Sequence, residues 1–323
     1  MPKRKTVIRS KNKIKKTKRV KRTKTKSKQK TEKKSKQKSK QKSKQKSKTF
    51  KKDRCAPKKG NQFSCYDNDA LDILKQAWNR KHTNNLISET TPKQIWKQLK
   101  DKNASCERES CWLSQPFMNE HSEKSNISKK VFAPKYPTSW YKNKNEWLNS
   151  LDIERVMKQY ENAFKTFKFI GPSPLDYDTK DYGDKCVWEE LCMFNLRREK
   201  QNGVKKIGMI FNLDTHDKPG SHWVAMFIDN NKKHVYYFDS YGDEIPQRLV
   251  RLVNTIQVQG RQYGENYEYY YNDNRHQYKN SECGMYCLYF IITLLKGKSF
   301  DYFLNKKISD DEMLKKRKVF FNF

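Results

Sequence analysis

The sequence predicts an α+β fold, with a small mixed sheet packed by helices, an N-terminal helical region before it, and a disordered basic tail at the start. Three observations carry this reading. Residues 1–52 hold 27 Lys and Arg against one acid, Glu32, which is +26 of the chain's formal +35. Short runs rich in β-branched and aromatic residues recur at 207–213, 223–229 and 234–239. Apolar residues at helical spacing recur at 153–160, 249–256 and 283–295.

Taken in order, the tail comes first. From Ser35 to Lys48 the unit Ser-Lys-Gln-Lys repeats with a period of four. Such a segment buries no core and its like charges repel, so it is expected to be disordered. Its density of positive charge suits non-specific contact with DNA phosphates, a nuclear or nucleolar address, or plain solubilisation. Residues 67–103 predict two helices, one carrying Leu71, Leu74 and Trp78, the other Ile95, Trp96 and Leu99. Thr91-Pro92 reads as the cap and first position of the second. The stretch 104–145 reads as an irregular connector. These features divide the chain into a tail (1–55), a helical accessory region with connector (56–135) and a third unit (136–323).

In that third unit Asp152 reads as the cap of a helix carrying Ile153, Val156, Met157 and Tyr160. Gly171-Pro172-Ser173-Pro174 reads as a turn-rich loop. The runs 223–229 and 234–239, separated by Asn230-Asn231-Lys232-Lys233, predict a hairpin, and 267–271 a tyrosine-rich edge strand. Residues 283–295 predict a buried helix. Its longest apolar run is shorter than the ~20 residues that span a bilayer, so no membrane contact is expected. The first 52 residues contain no apolar stretch of the kind a secretory signal needs. The eight cysteines are therefore expected to be thiols in a reducing compartment. Cys106 and Cys111 with His121 match no common zinc spacing, and no metal or organic cofactor is expected.

Four residues in one region supply what thiol attack on an amide requires. Cys283 stands where the buried helix begins, and a helix start favours the thiolate. His222 opens the strand 223–229, and Asp239 closes the next one, so a tight hairpin sets them side by side and lets the carboxylate orient the imidazole. Gln277, six residues before Cys283, offers a side-chain amide to a developing oxyanion. Each has a bland reading as well: a buried helical cysteine, a strand-end histidine, a turn carboxylate, a polar loop residue. His216, His234 and His276 are rivals to His222 on spacing alone, and Cys287 is expected to point into the core.

Together the pieces Gly220-Ser221-His222-Trp223, Tyr237-Phe238-Asp239-Ser240 and Gln277 followed by Cys283-Gly284 resemble the ubiquitin-like-protein-specific protease superfamily of papain-like cysteine peptidases. Trp147-Leu148 with Asp152-Ile153 is similar to the entry segment of its catalytic domain, and the resemblance spans roughly 145–305. With Ile207–Asn212 and the extra helical region, it is closest to the viral branch, that of the polyprotein-processing proteases of African swine fever virus and giant DNA viruses. What the resemblance implies is a papain-like core of the adenain type with catalytic His222, Asp239, Gln277 and Cys283. Trp223 and Gly284 would border a channel that admits glycine. The implied activity is cleavage after Gly-Gly-type sites in viral structural precursors during virion maturation, in the virion and the cytoplasmic virus factory. The Lys-rich tail is not part of the family pattern. Glu282 stands where cellular members often carry aspartate, so their substrates do not simply carry over. Two other functions remain open: an isopeptidase acting on ubiquitin-like conjugates of the host, and a non-enzymatic, basic DNA-binding virion protein.

Overall fold

The computed structural model describes residues 49–57, 62–180 and 182–323; the Lys-rich repeat and the disorder expected of it lie outside these residues. Helix α1 (Asn68–Lys81) starts at Asp67, whose side chain accepts from the Ala70 amide. Helix α2 (Pro92–Lys102) follows Thr91 with Pro92 in its first turn, where a missing N–H costs nothing. Leu71, Leu74 and Trp78 meet Ile95 and Leu99 in one apolar cluster.

The stretch 104–145 is more than the connector expected. Short 3-10 segments at Glu109–Ser114 and Pro116–Met118, and helix α3 (Lys124–Val131), place Trp112, Leu113, Phe117, Met118, Ile127 and Val131 in the same cluster. Each of these short elements buries only two or three side chains, too few to print a helical period on the sequence. The tail boundary at 55 also moves. Phe50 packs edge-on against Trp96, and buried Asp53 accepts from the amide (2.7 Å) and hydroxyl (3.0 Å) of Ser110. Six cysteines expected as free thiols are paired, Cys55 with Cys65, Cys106 with Cys111 and Cys186 with Cys192, leaving Cys283 and Cys287 free. The partners are close neighbours in the chain, 10, 5 and 6 residues apart, a proximity that an argument from compartment does not address.

Helix α4 (Ser150–Ala163) is capped by Asn149, not Asp152; Asp152 sits three residues on and returns a bond to the Asn149 amide, a reciprocal capping box. Five strands follow: β1 (Phe167–Pro174), β2 (Lys206–Asn212), β3 (Trp223–Asp229), β4 (His234–Phe238) and β5 (Glu268–Tyr271). They lie in the order β1-β2-β3-β4-β5, with β1·β2 and β4·β5 parallel and the central pairs antiparallel. Gly171–Pro174, expected as a loop, forms the end of edge strand β1, where a register shift after Ile170 accommodates residues that a central strand would reject. Short helices α5 (Glu189–Cys192) and α6 (Leu196–Gln201) lead into β2, and α7 (Gln247–Arg261) links β4 to β5. After β5 come α8 (Cys283–Leu295), α9 (Asp301–Asn305) and α10 (Asp310–Phe320).

The two sheet faces are read off β3. Trp223, Ala225 and Phe227 face α4 and α8, while Val224, Met226 and Ile228 face α7. With both faces covered, the strand is apolar along its whole length. Helix α8 is itself enclosed, with every residue but Tyr289 buried. It lies so close to β2 that a Cβ on Gly208 would come 2.8 Å from Ile291 and 3.0 Å from the Phe167 ring. After α10, Asn322 bonds Pro134, Arg54 and Asp53, and Phe323 stacks on Tyr136 (4.2 Å), so the last turns of chain bind the N-terminal region to the sheet domain.

Candidate active site

The hairpin brings its two ends together as expected. Ala225 pairs with Phe238, which leaves His222 and Asp239 just beyond the ladder. His222 Nε2 lies 2.7 Å from Asp239 Oδ1. A carboxylate only accepts, so the neutral ring carries its proton on Nε2 and keeps the Nδ1 lone pair for the hydrogen bond it makes with Cys283. Burial, the largest single influence on His222, disfavours its charge. The hydrogen bonds to Asp239 and Cys283, and their negative charges, outweigh it and raise the imidazole pKa to about 9. The imidazolium is therefore the favoured form of the ring.

Asp239 is itself fixed. The Tyr241 amide donates to Oδ1 (2.8 Å), and Asn272 grips the Asp239 peptide on both sides, accepting from its N–H (3.0 Å) and donating to its C=O (2.7 Å). The ring of Tyr241 stacks on His222, 4.6 Å between centroids with 10° between planes. Neither Asn272 nor Tyr241 is marked by sequence, since each acts through a contact that spacing does not reveal.

Cys283 begins α8 and is buried. Glu282 before it is buried against Arg317 of α10, whose Nε and terminal nitrogen donate to both carboxylate oxygens at 2.8–3.2 Å. Arg317 also donates to Glu146 O (2.7 Å) and lies over the Trp140 ring. Cys287, one turn on, is enclosed, and burial pushes its thiol well up, as suits a core residue.

Gln277 is fully buried and its amide is oriented by its neighbours. Oε1 accepts from the Ser240 hydroxyl (2.7 Å) and Nε2 donates to Lys279 O (2.5 Å), so one Nε2 hydrogen remains for an outside acceptor. Gly284 departs from expectation. A Cβ there would meet Leu148 at 3.1 Å and Trp223 at 3.4 Å, so the missing side chain admits those two residues and not substrate. Trp223 donates its indole N–H to Leu148 O (3.0 Å) and, with Trp147, Leu148, Pro172, Gly220 and His216, lines a cleft of about 440 Å³.

The rival histidines are engaged elsewhere. His216 is bound to Asp176 (2.7 Å), and His234 stands at the far end of the hairpin beside Tyr236 and Glu268. Burial lowers the pKa of His276, which is enclosed and accepts from Ile308. Cys106 and Cys111 are joined to each other, which removes them as a metal pair with His121.

Comparison with known proteins agrees with this architecture. Residues 195–321, which contain all four candidate residues, match the model of the Ulp1 protease family, C-terminal catalytic domain. A protein of Acanthamoeba polyphaga mimivirus named as a thiol protease is 31% identical over 292 residues, covering 83% of this chain and 92% of that protein. The cysteine protease of African swine fever virus is 24% identical over 241 residues, 70% of this chain and 88% of its own. The crystal structure of the African swine fever virus protease superposes with a TM-score of 0.59 at 21% identity, covering 84% of this chain and 96% of that one, and so shares the fold.

Proposed function

The chain belongs to the Ulp1 protease family and is a cysteine protease, and from that premise we propose that it is an endopeptidase cutting after Gly-Gly-type sites in viral structural precursors. The observation that supports this most is the closure of the cleft beside Cys283. Trp223 is pinned to Leu148, and both pack against Gly284, the residue after Cys283, so two apolar side chains border the approach to the thiol. A substrate residue without a side chain is the one that suits so crowded an approach.

In the reaction, Cys283 Sγ attacks the carbonyl carbon after glycine, and the charge that moves to oxygen is held by Gln277 Nε2 and the Cys283 amide. His222, charged beside the thiolate, gives its proton to the leaving nitrogen as the C–N bond breaks, and a thioester remains. His222, now neutral, takes a proton from water as the water oxygen attacks the thioester, which frees the acid and the thiolate. Asp239 holds the ring in place throughout.

Counterparts of the swine fever enzyme carry the name SUMO-1 cysteine protease, so cleavage of ubiquitin-like conjugates is the second reading, with the same chemistry. A panel of Gly-Gly-X peptides run beside ubiquitin and SUMO conjugates separates the two. Efficient cutting of the peptides with inert conjugates supports the endopeptidase, and the reverse overturns it. On the same reading the enzyme acts in the virion and the cytoplasmic virus factory, with the tail of residues 1–52 keeping it near packaged DNA.

A further inference from the structure

The face of His222 that Tyr241 covers belongs to a second assembly, none of whose members lines the cleft bordered by Trp223. The guanidinium of Arg275 lies 4.9 Å from the centre of the Tyr241 ring and 5.1 Å from that of Tyr278. Its Nε donates to the backbone oxygen of Gln277 at 2.7 Å. Lys307 Nζ stands 4.0 Å from the centre of the Tyr278 ring. Arg275 and Tyr278 are exposed, and among the described residues no carboxylate lies within ion-pair distance of Arg275. One of the five guanidinium N–H groups is used, and the terminal nitrogens keep theirs.

An arginine so placed is unlike an ordinary surface arginine. Two rings and one hydrogen bond already fix its plane, so a carboxylate meeting it costs little further side-chain entropy. Two aromatic faces also strip part of its water, which strengthens the charge it presents. Its position relates it to the reaction. On the proposed reading of the site, the acyl part of a substrate lies in the Trp223 cleft and the departing amine collects its proton from His222. The residues that follow the scissile bond would then pass the Tyr241 side of the imidazole.

We propose that Tyr241, Arg275 and Tyr278 form the leaving-group subsite, and that Arg275 selects substrates with an acidic side chain in the first or second position after the scissile bond. This rests on the reading of Cys283 and His222 as the cutting pair. It adds a requirement on the far side of the bond that the glycine channel does not supply. Arg275 is a specificity-determining residue here, and Lys307 adds to the same field.

The test compares two Gly-Gly peptides that differ only after the scissile bond, one continuing with Asp-Asp and the other with Lys-Lys. The wild-type ratio of kcat/KM is expected to favour the acidic peptide by roughly tenfold, the scale of one charge-assisted hydrogen bond, and to shrink as salt rises. Arg275→Gln should bring the ratio near one, Arg275→Glu should invert it, and Arg275→Lys should restore part of it. A brace for the Gln277 loop would instead slow both peptides alike and leave the ratio unchanged, which overturns the proposal. A second arm needs no turnover. Peptides representing the departing half, with free amino termini, are titrated into the Cys283→Ala protein and followed by fluorescence anisotropy. Tighter binding of the acidic one, lost in Cys283→Ala/Arg275→Gln, supports the subsite, and equal binding of both overturns it. If neither Gly-Gly peptide is cut, the proposed cleavage site is wrong, and the binding arm still decides the subsite.

Discussion

Two buried ion pairs flank the same cysteine, and they are built for opposite purposes. His222–Asp239 joins a group that can lose its proton to a carboxylate with one oxygen, Oδ2, left without a partner. Glu282–Arg317 joins a carboxylate whose two oxygens are both bound to a guanidinium that does not deprotonate. The first pair sets a group able to change its charge beside Cys283; the second is sealed in the core and keeps its charge. Burial alone therefore does not mark a functional ion pair. What separates them is a titratable member that also reaches the thiol.

The comparison breaks most sharply at the reacting groups. Cys283→Ser or His222→Ala is expected to lower kcat/KM by about 10⁴-fold or more, while His234→Ala, at the far end of the hairpin, stays near wild type. Activity kept in Cys283→Ser and lost in Cys287→Ser would move the nucleophile by one turn. Labelling with a Gly-Gly vinyl sulfone followed by peptide mapping reads the same point directly, since only Cys283 should be modified.

The next effect tests what Asp239 does. Asp239→Asn is expected to cost roughly a hundredfold or more in kcat/KM, short of the loss at His222, because the amide still orients the ring but no longer supports its charge. The pH profile sharpens this. Burial, the largest influence, opposes the charged ring, yet Asp239 and Cys283 together hold its pKa at about 9. A pKa raised above the ordinary 6.5 means that the folded state holds the proton more tightly than the unfolded one. The stability it contributes is full below about 6.5 and lost as pH rises through about 9. Activity should fall over the same alkaline limb, as the acid that serves the leaving amine disappears. The limb should move to lower pH in Asp239→Asn; a limb that stays in place would detach Asp239 from the proton.

The sealed pair predicts a stability effect. Arg317→Met leaves Glu282 buried without its partner and is expected to cost about 3–5 kcal/mol in urea unfolding. Adding Glu282→Gln should return much of that, because the stranded charge is gone. Equal loss in the single and double variants would mean that Arg317 serves mainly through Trp140 and Glu146. The smallest effect on hydrolysis belongs to the tail. Removing residues 1–47 should leave peptide cleavage unchanged while DNA binding, titrated at two salt concentrations, weakens and loses most of its salt dependence.

The sequence made the first pair legible and hid the second. His222 and Asp239 are joined by a hairpin whose continuous apolar strands and four-residue turn can be seen by eye, and Cys283 and Gln277 sit beside an unbroken apolar helix. The same local logic found α1, α2 and four of the five strands. It failed where structure depends on distant contacts. Strand β1 carries Gly171 and two prolines and is a strand because β2 pairs with it. Helix α10 is dense in Lys and Arg, and nothing in its composition shows that Arg317 points inward while its neighbours face water. Gly284 misled in a different way, since a small residue after a nucleophile suggests room for substrate, and the room is taken by Leu148 and Trp223.

The link from Arg317 to Glu282 also sets a clock. A chain is made from its N-terminus at roughly 5–20 residues per second, and 35 residues separate the two partners. For some seconds of synthesis the thiol of Cys283 is present while the charge that fixes the start of its helix is not. The site is therefore completed only after α10 has been made and docked, so a nascent chain carries its nucleophile before it carries a finished enzyme.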